Sequence, residues 1–288
     1  MLLTAITDEI TQDFDHALDV MLEYGCKAAE LRGMWGVNIA DLSDADARRV
    51  AASLQSRGMR TACLSTPFFK CSLDGAEAEK TGPLHLAKPH HRSHQLEVLK
   101  RCIELAHRFE TRLIRVFAFW RNGDLTADQE TRIVDAFAEP IAIASEADVV
   151  LCLENEHACM IGTGAEAARI AAACNSDHFA VVWDPGNAFA AGEVPYPGGY
   201  EAVQRWVQHV HIKDAVRRDG DTEFVRVGEG EIDYENQFRA LRRDGYTGYI
   251  SIETHYRASN PNDPGSEPAG EWSTRECLAA AQDLIQMP

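Results

Sequence analysis

Hydrophobic positions along this chain fall into two alternating patterns. One is a short run of apolar, often β-branched residues bounded by turn formers, as at 2–6, Ala28–Leu31, 60–64, 113–119, 149–153, Phe179–Trp183, 207–210 and Tyr249–Ile252. Runs of that length and composition predict buried strands. The other pattern has helical spacing: Ala17, Val20, Met21 and Tyr24 ahead of Gly25, then Ala47, Val50, Ala51 and Leu54 between Ser43 and Gly58. A serine before such a stripe and a glycine after it are start and stop signals for a helix. Further helices are predicted over 93–109, after Thr126 (whose Thr-Ala-Asp-Gln spacing is that of a capping box), after Thr163, over 233–243 and over 273–285. The helix after Thr126 is expected to bend or end before Pro140, because proline removes a backbone donor and crowds the preceding turn.

Three stretches break this rhythm. Residues 70–89 form the longest polar insertion and follow the third strand, 259–270 is a proline-rich loop, and Asp219-Gly220 between Val216 and Phe224-Val225 predicts a small hairpin. Eight strands alternating with about eight helices, without a compositional break, predict an α/β fold, one (β/α)₈ TIM barrel over residues 1–288. Insertions that follow strands then lie on the face where barrel enzymes carry their substrate loops.

Charge narrows the chemistry. The chain has 288 residues and a formal net charge of −17, from 28 basic and 45 acidic side chains. Nucleic-acid binding draws on basic patches, so the expected partner is a small molecule, with no nucleic acid and no membrane; a homo-oligomer is left open. No run approaches the roughly 20 apolar residues of a membrane span, and the first strand begins beside Met1, so a cytoplasmic protein is expected. The eight cysteines include no C-x-x-C pair, and Cys63, Cys152 and Cys277 stand in apolar or helical patterns. They read as reduced core residues.

The polar residues closing four successive strand runs supply the candidate chemistry. Glu154, Asp184, His211 and Glu253 are separated by 30, 27 and 42 positions, where one strand–helix repeat takes roughly 30. The hairpin accounts for the longer gap. Carboxyl ends of barrel strands converge, so these four are expected to bind one divalent ion at the mouth. Three carboxylates and an imidazole suit a borderline-hard ion better than a structural zinc, which takes thiolates. Mn²⁺ is expected, with Mg²⁺, Co²⁺ and Zn²⁺ as alternatives. His209, His211 and Lys213 share one face of their strand; the later position favours His211 as the ligand and leaves His209 deeper, as a core or supporting group. His90, His91 and His94 are expected to be solvated at a helix start, and Gly228-Glu-Gly230 lacks the lysine and helix of a phosphate loop.

Leu153-Glu154, Trp183-Asp184-Pro-Gly-Asn187, His209-Val-His211-Ile-Lys-Asp214, Gly228-Glu-Gly230-Glu-Ile-Asp233 and Gly245-Tyr-Thr-Gly248-Tyr-Ile-Ser-Ile-Glu253 resemble the sugar phosphate isomerase/epimerase group of the xylose isomerase-like TIM barrels, as does Gly25-Cys-Lys-Ala-Ala-Glu-Leu-Arg32. The resemblance implies that Glu154, Asp184, His211 and Glu253 hold the ion and that Glu154 and Glu253 are catalytic, moving the proton. It also places His157 and Arg217 against the substrate. Asn187, Lys213, Trp120 and Arg32 complete the candidate substrate contacts. Apurinic-site endonucleases of the same superfamily use three zinc ions. They carry a histidine where this chain has Asn187 and an Asp-x-His where it has Thr222-Glu-Phe224, so DNA repair is a remote alternative.

The expected activity is a divalent-metal-dependent isomerase or epimerase acting on a small keto-sugar or polyol derivative. One glutamate takes the proton beside the carbonyl, and the other returns one to the opposite face of the enediolate. An inosose-type dehydratase, a lyase that begins with the same proton loss, is the alternative on the same metal site.

Overall fold

The computed structural model describes residues 1–75, 81–263, 265 and 269–287. Eight parallel strands line a barrel: β1 Leu2–Ala5, β2 Ala28–Leu31, β3 Arg60–Ser65, β4 Leu113–Val116, β5 Val150–Glu154, β6 Phe179–Trp183, β7 Val207–Ile212 and β8 Tyr249–Ile252. Each pairs with the next from β2 to β8, and β1 pairs with β8 along its whole length. The seam between β1 and β2 is closed differently. Among the described residues it carries one backbone bridge, Ile6 to Glu30, and the Thr4 hydroxyl donates to the Ala28 carbonyl at 2.8 Å.

Alternation along each strand sorts its side chains to two sides. Leu31, Leu64, Ile114, Val116, Leu151 and Leu153 join the buried helix residues Val20, Met21, Val50 and Leu54 in one apolar layer. On the opposite side, Val150, Cys152, Ala180 and Val182 fill the barrel as a separate apolar plug. Further along the strands the interior turns polar, with Glu30, Ser65, Arg115, Glu154, His209 and His211 all buried. The site therefore stands on the barrel's own packed floor.

Three helices begin at their predicted caps, while the closing helix starts at Gly270, three residues before the expected 273. Ser43 accepts from the Asp46 N–H to cap Asp44–Ser56, and Thr126 and Thr163 each form a capping box with Gln129 and Glu166. Two expectations need correction. The helix after Thr126 runs through Pro140 to Glu146, with the proline ring buried; packing of that face offsets the one donor that proline removes. The fourth strand stops at Val116 rather than 119. Beyond it, the amides of Phe117 and Phe119 donate to the carbonyls of Phe68 and Phe69, in the loop after β3, so the chain leaves the sheet to brace that loop.

Residues 76–80 of the insertion, and 264 and 266–268 of the later loop, lie outside the described residues. The hairpin forms as predicted, Asp214–Arg218 against Asp221–Val225, turning at Asp219 and Gly220 with φ of +52° and +93°. All eight cysteines are free, and burial pushes the thiols of Cys26, Cys71 and Cys102 up to about 12. None of the described helices is long and apolar enough to cross a membrane.

The Gly228-Glu-Gly230 turn has a structural occupation. Both glycine amides donate to Asp214 Oδ2, at 2.9 and 3.0 Å, leaving them unavailable to a phosphate. A Cβ at Gly230 would land on the Asp214 carboxylate and 2.6 Å from the Ala215 carbonyl oxygen. Gly230→Ala is expected to lower stability by about 1–3 kcal/mol, the usual range for overpacking, read as a drop in the thermal midpoint. An unchanged midpoint would show that the turn yields freely.

Candidate metal centre

Each of the four candidate ligands is delivered by a strand end. Glu154 is the last residue of β5, and Glu253 continues β8, its amide donating to the Ile212 carbonyl at 3.1 Å. Asp184 caps the short helix Pro185–Ala190: Oδ1 accepts from the Asn187 amide at 2.8 Å, which frees Oδ2 for the interior. The Asn155 side chain pins the Asp184 backbone from both sides, at 2.9 and 2.8 Å.

Ligand atoms of Glu154, Asp184, His211 and Glu253 all lie within 4.8 Å of one another. His211 Nδ1 stands 3.3 Å from Glu154 Oε1, 3.4 Å from Glu253 Oε2 and 3.9 Å from Asp184 Oδ2. Atoms bound to one small ion at about 2.1 Å are about 3–4 Å apart, so the spacing fits a single divalent cation. Glu154 Oε2 and Asp184 Oδ2 are buried without a hydrogen bond among the described residues. Arg115 lies 3.2 Å from the first and Lys213 3.0 Å from the second, within ion-pair reach but outside hydrogen-bond geometry. Buried oxygens normally have donors, and two such oxygens in one cluster of metal-ligand types suit a cation.

The two histidines take different positions around Glu30. His211 presents Nδ1 to the carboxylates and bonds Glu30 Oε1 through Nε2 at 2.9 Å, while His209 reaches Glu30 Oε2 at 2.7 Å. The Ser65 hydroxyl also donates to Glu30. A carboxylate behind a metal-binding histidine fixes its ring and tautomer. Glu30→Gln is expected to weaken divalent-metal affinity by about 10–100-fold, the usual range for such supports, with the four ligands unchanged. Calorimetric titration of chelated protein with Mn²⁺ reads this directly, and an unaltered affinity would remove Glu30 from the centre. The neighbouring Glu30–Cys63–His209 grouping is a poorer site, because burial and the Glu30 charge hold the Cys63 thiol well above its usual range.

Burial and charge oppose each other here. Burial would raise Glu253, but Lys213, His211 and Arg32 outweigh it and hold the carboxyl well below the usual range. Asp184 has fewer cations around it, and burial pushes it up to about 6 despite Lys213. For His211 burial favours the neutral ring; Glu30 and Glu154 prevail and hold it well above the usual imidazole range. A metal ion held by His211 would take the place of that proton, so binding there would release one.

The candidate substrate contacts separate into two groups. Lys213 Nζ lies 2.6 Å from Glu253 Oε2, and Arg32 donates to Glu253 Oε1 at 2.8 Å. Asn187 Nδ2 donates to Glu154 Oε1 at 3.1 Å and its carbonyl oxygen meets His157 Nδ1 at 3.0 Å. These four touch the cluster directly or through one neighbour. Arg217 instead bonds the carbonyls of Phe189 and Ala190 and the Thr222 hydroxyl, and Trp120 packs with Phe117 and Cys159. His91 and His94 are exposed and His90 is partly so. Glu30, Arg115 and Asn155 are the site residues that sequence reasoning missed. A charged residue inside a four-residue buried strand, as at Glu30 and Arg115, was the available signal.

The sequence pattern described as Xylose isomerase-like TIM barrel matches residues 18–276. An L-ribulose-5-phosphate 3-epimerase, UlaE of Escherichia coli, is 28% identical over 183 residues, 62% of this chain and 61% of that protein; the match thus spans about three-fifths of the curated relative. Among solved structures, the apo form of the 3-keto-D-glucoside 4-epimerase YcjR from E. coli aligns over 100% of both chains, with a TM-score of 0.71 at 17% identity. The probable 3-DHS dehydratase AsbF from Bacillus anthracis does so with a TM-score of 0.72 at 15% identity. Both structural matches share the fold.

Proposed function

We propose that this chain, which belongs to the xylose isomerase-like TIM barrel family, is a divalent-metal-dependent isomerase or epimerase of a small keto-sugar or polyol derivative. The observation that carries this reading is the pair of glutamates, Glu154 and Glu253, in one buried four-ligand cluster. When bound, a divalent ion supplies Lewis acidity, easing the build-up of negative charge on a hydroxy-ketone as its C–H bond breaks. Glu253, kept ionised by Lys213, His211 and Arg32, is in the form that can accept that proton. Glu154, carried on a different strand and hydrogen-bonded by Asn187, returns a proton taken from solvent from its own side, and Glu253 releases its proton to solvent to close the cycle. Lys213 and Arg115 contribute positive charge beside the two carboxylates. The UlaE match supports a 3-epimerase of a ketopentose derivative. Mn²⁺ is the ion we favour.

Lys213 also favours a second reading. Its ammonium is buried between Asp184 and Glu253, where its charge can draw a hydroxyl away while Glu253 passes to it the proton already taken, and that loss of water makes a dehydratase. One experiment separates the two. Mn²⁺-loaded protein incubated in D₂O with L-ribulose 5-phosphate and D-tagatose is expected to place deuterium beside the carbonyl, with no ultraviolet absorbance from a dehydrated product. Clean dehydration would promote the lyase, and neither exchange nor dehydration would overturn the proposal for these sugars.

A further inference from the structure

On the β1–β8 side of the cluster, a second set of buried polar atoms has no role in the chemistry above. Glu9 lies in the short helix Thr7–Ile10 and is 3% exposed. Its Oε1 accepts from Arg32 Nη2 at 2.5 Å. Its Oε2 has no hydrogen bond among the described residues, and the Arg257 guanidinium stands 3.6 Å away. His255 likewise leaves Nε2 buried and unpartnered among the described residues, while its ring meets Phe224 of the hairpin edge-on, centroids 4.8 Å apart. Ligand atoms of Glu9, Glu253 and His255 fall within 4.8 Å of one another. Glu9, Arg32, His255 and Arg257 all line one cleft of about 470 Å³.

A second cation is the first candidate occupant, and Arg32 argues against it. Its guanidinium already bonds Asp8, Glu9 and Glu253, so an ion held by Glu9 and Glu253 would face a fixed positive charge at close range. A neutral hydroxyl meets no such repulsion. It donates to a carboxylate oxygen, and it can donate to or accept from an imidazole nitrogen.

We propose that Glu9 and His255 form a hydroxyl-binding subsite that takes adjacent hydroxyls at the far end of the substrate. This rests on the reading that the keto end sits at the four-ligand cluster. The subsite selects a polyhydroxylated tail over a bare hydroxy-ketone.

Calorimetric titration of Mn²⁺-loaded protein with D-tagatose and with 1,3-dihydroxyacetone, the hydroxy-ketone without a tail, tests the subsite. Wild type is expected to bind D-tagatose about 10-fold or more tightly than dihydroxyacetone, the scale of one hydrogen bond to a charged group. Glu9→Gln and His255→Phe are each expected to bring that ratio close to one, with the dihydroxyacetone affinity unchanged. Glutamine keeps an acceptor for Arg32 and phenylalanine keeps the ring against Phe224, so at least one variant is expected to fold with a wild-type thermal midpoint. A wild-type ratio near one, or an unchanged ratio in a folded variant, overturns the subsite. A second divalent ion per chain, lost in Glu9→Gln, would overturn it in favour of a cation. Failure of wild type to bind either ketone overturns the hydroxy-ketone reading itself, and the subsite with it.

Discussion

Replacing Glu253 by glutamine is expected to lower turnover by about 10²–10⁴-fold at saturating Mn²⁺, the range general acid–base catalysis contributes. The side chain keeps its shape but loses the charge that three cationic groups are arranged around. Glu253 Oε1 accepts from Arg32, while Oε2 lies 2.6 Å from Lys213 and 3.4 Å from His211 Nδ1. An amide NH₂ in place of either oxygen would direct a donor at donors, so weaker metal binding is expected as well. Steady-state rates across an Mn²⁺ titration separate the two effects: loss of affinity alone is rescued by added ion, and loss of the base is not. Glu154→Gln is expected to behave similarly. Wild-type turnover in metal-saturated Glu253→Gln would leave the two-glutamate scheme without support.

Removing Arg32 is expected to have the largest effect on stability. Its guanidinium bonds Asp8, Glu9 and Glu253, with both Arg32 and Glu9 almost fully buried. Arg32→Met keeps much of the aliphatic volume and leaves three carboxylates without their shared partner. Breaking a buried ion pair from one side typically costs about 3–5 kcal/mol, which denaturant unfolding at neutral pH would measure. The sign of the pH dependence follows from Glu9, whose carboxyl burial already raises above its usual value against the pull of Arg32. A group with a raised folded pKa favours the folded state while protonated and loses that contribution as pH rises through the folded value. The deficit of Arg32→Met is therefore expected to shrink in mild acid and grow toward neutrality. A deficit independent of pH would mean that lost packing, rather than uncompensated charge, dominates.

The four cluster residues were legible because each closes an apolar run, and a barrel brings such ends together whatever their separation in sequence. Alternation puts His209 and His211 on one face, and distance along the strand, also a local quantity, favoured His211 as the member of the cluster. Glu30 and Arg115 were harder to assign. Each interrupts a short strand at a position that alternation turns inward, but only the closed barrel shows which histidine or glutamate it meets. Arg217 depends on the same tertiary information. Its place after the candidate metal histidine suggested a substrate contact, and the hairpin sets its guanidinium against the carbonyls of Phe189 and Ala190. Pro140 shows the same limit for backbone rules, since the strength of packing on the far side of a proline is a tertiary quantity.

The uneven seam beside β1 has a bearing on the order of assembly. The ladder partner of β1 is β8, with Leu2 opposite Tyr249, whereas among the described residues its link to β2 is one bridge and one hydroxyl. Bringing such distant segments together carries a loop-closure entropy that nearer pairs avoid. During synthesis the first strand therefore emerges long before its main partner exists. Strands β2 to β7 can pair in sequence as they appear, while β1 waits for β8. Glu9 and Arg32 then come together with Glu253 only when the ring closes, so the charged wall of the cleft is completed in the last step that also completes the barrel.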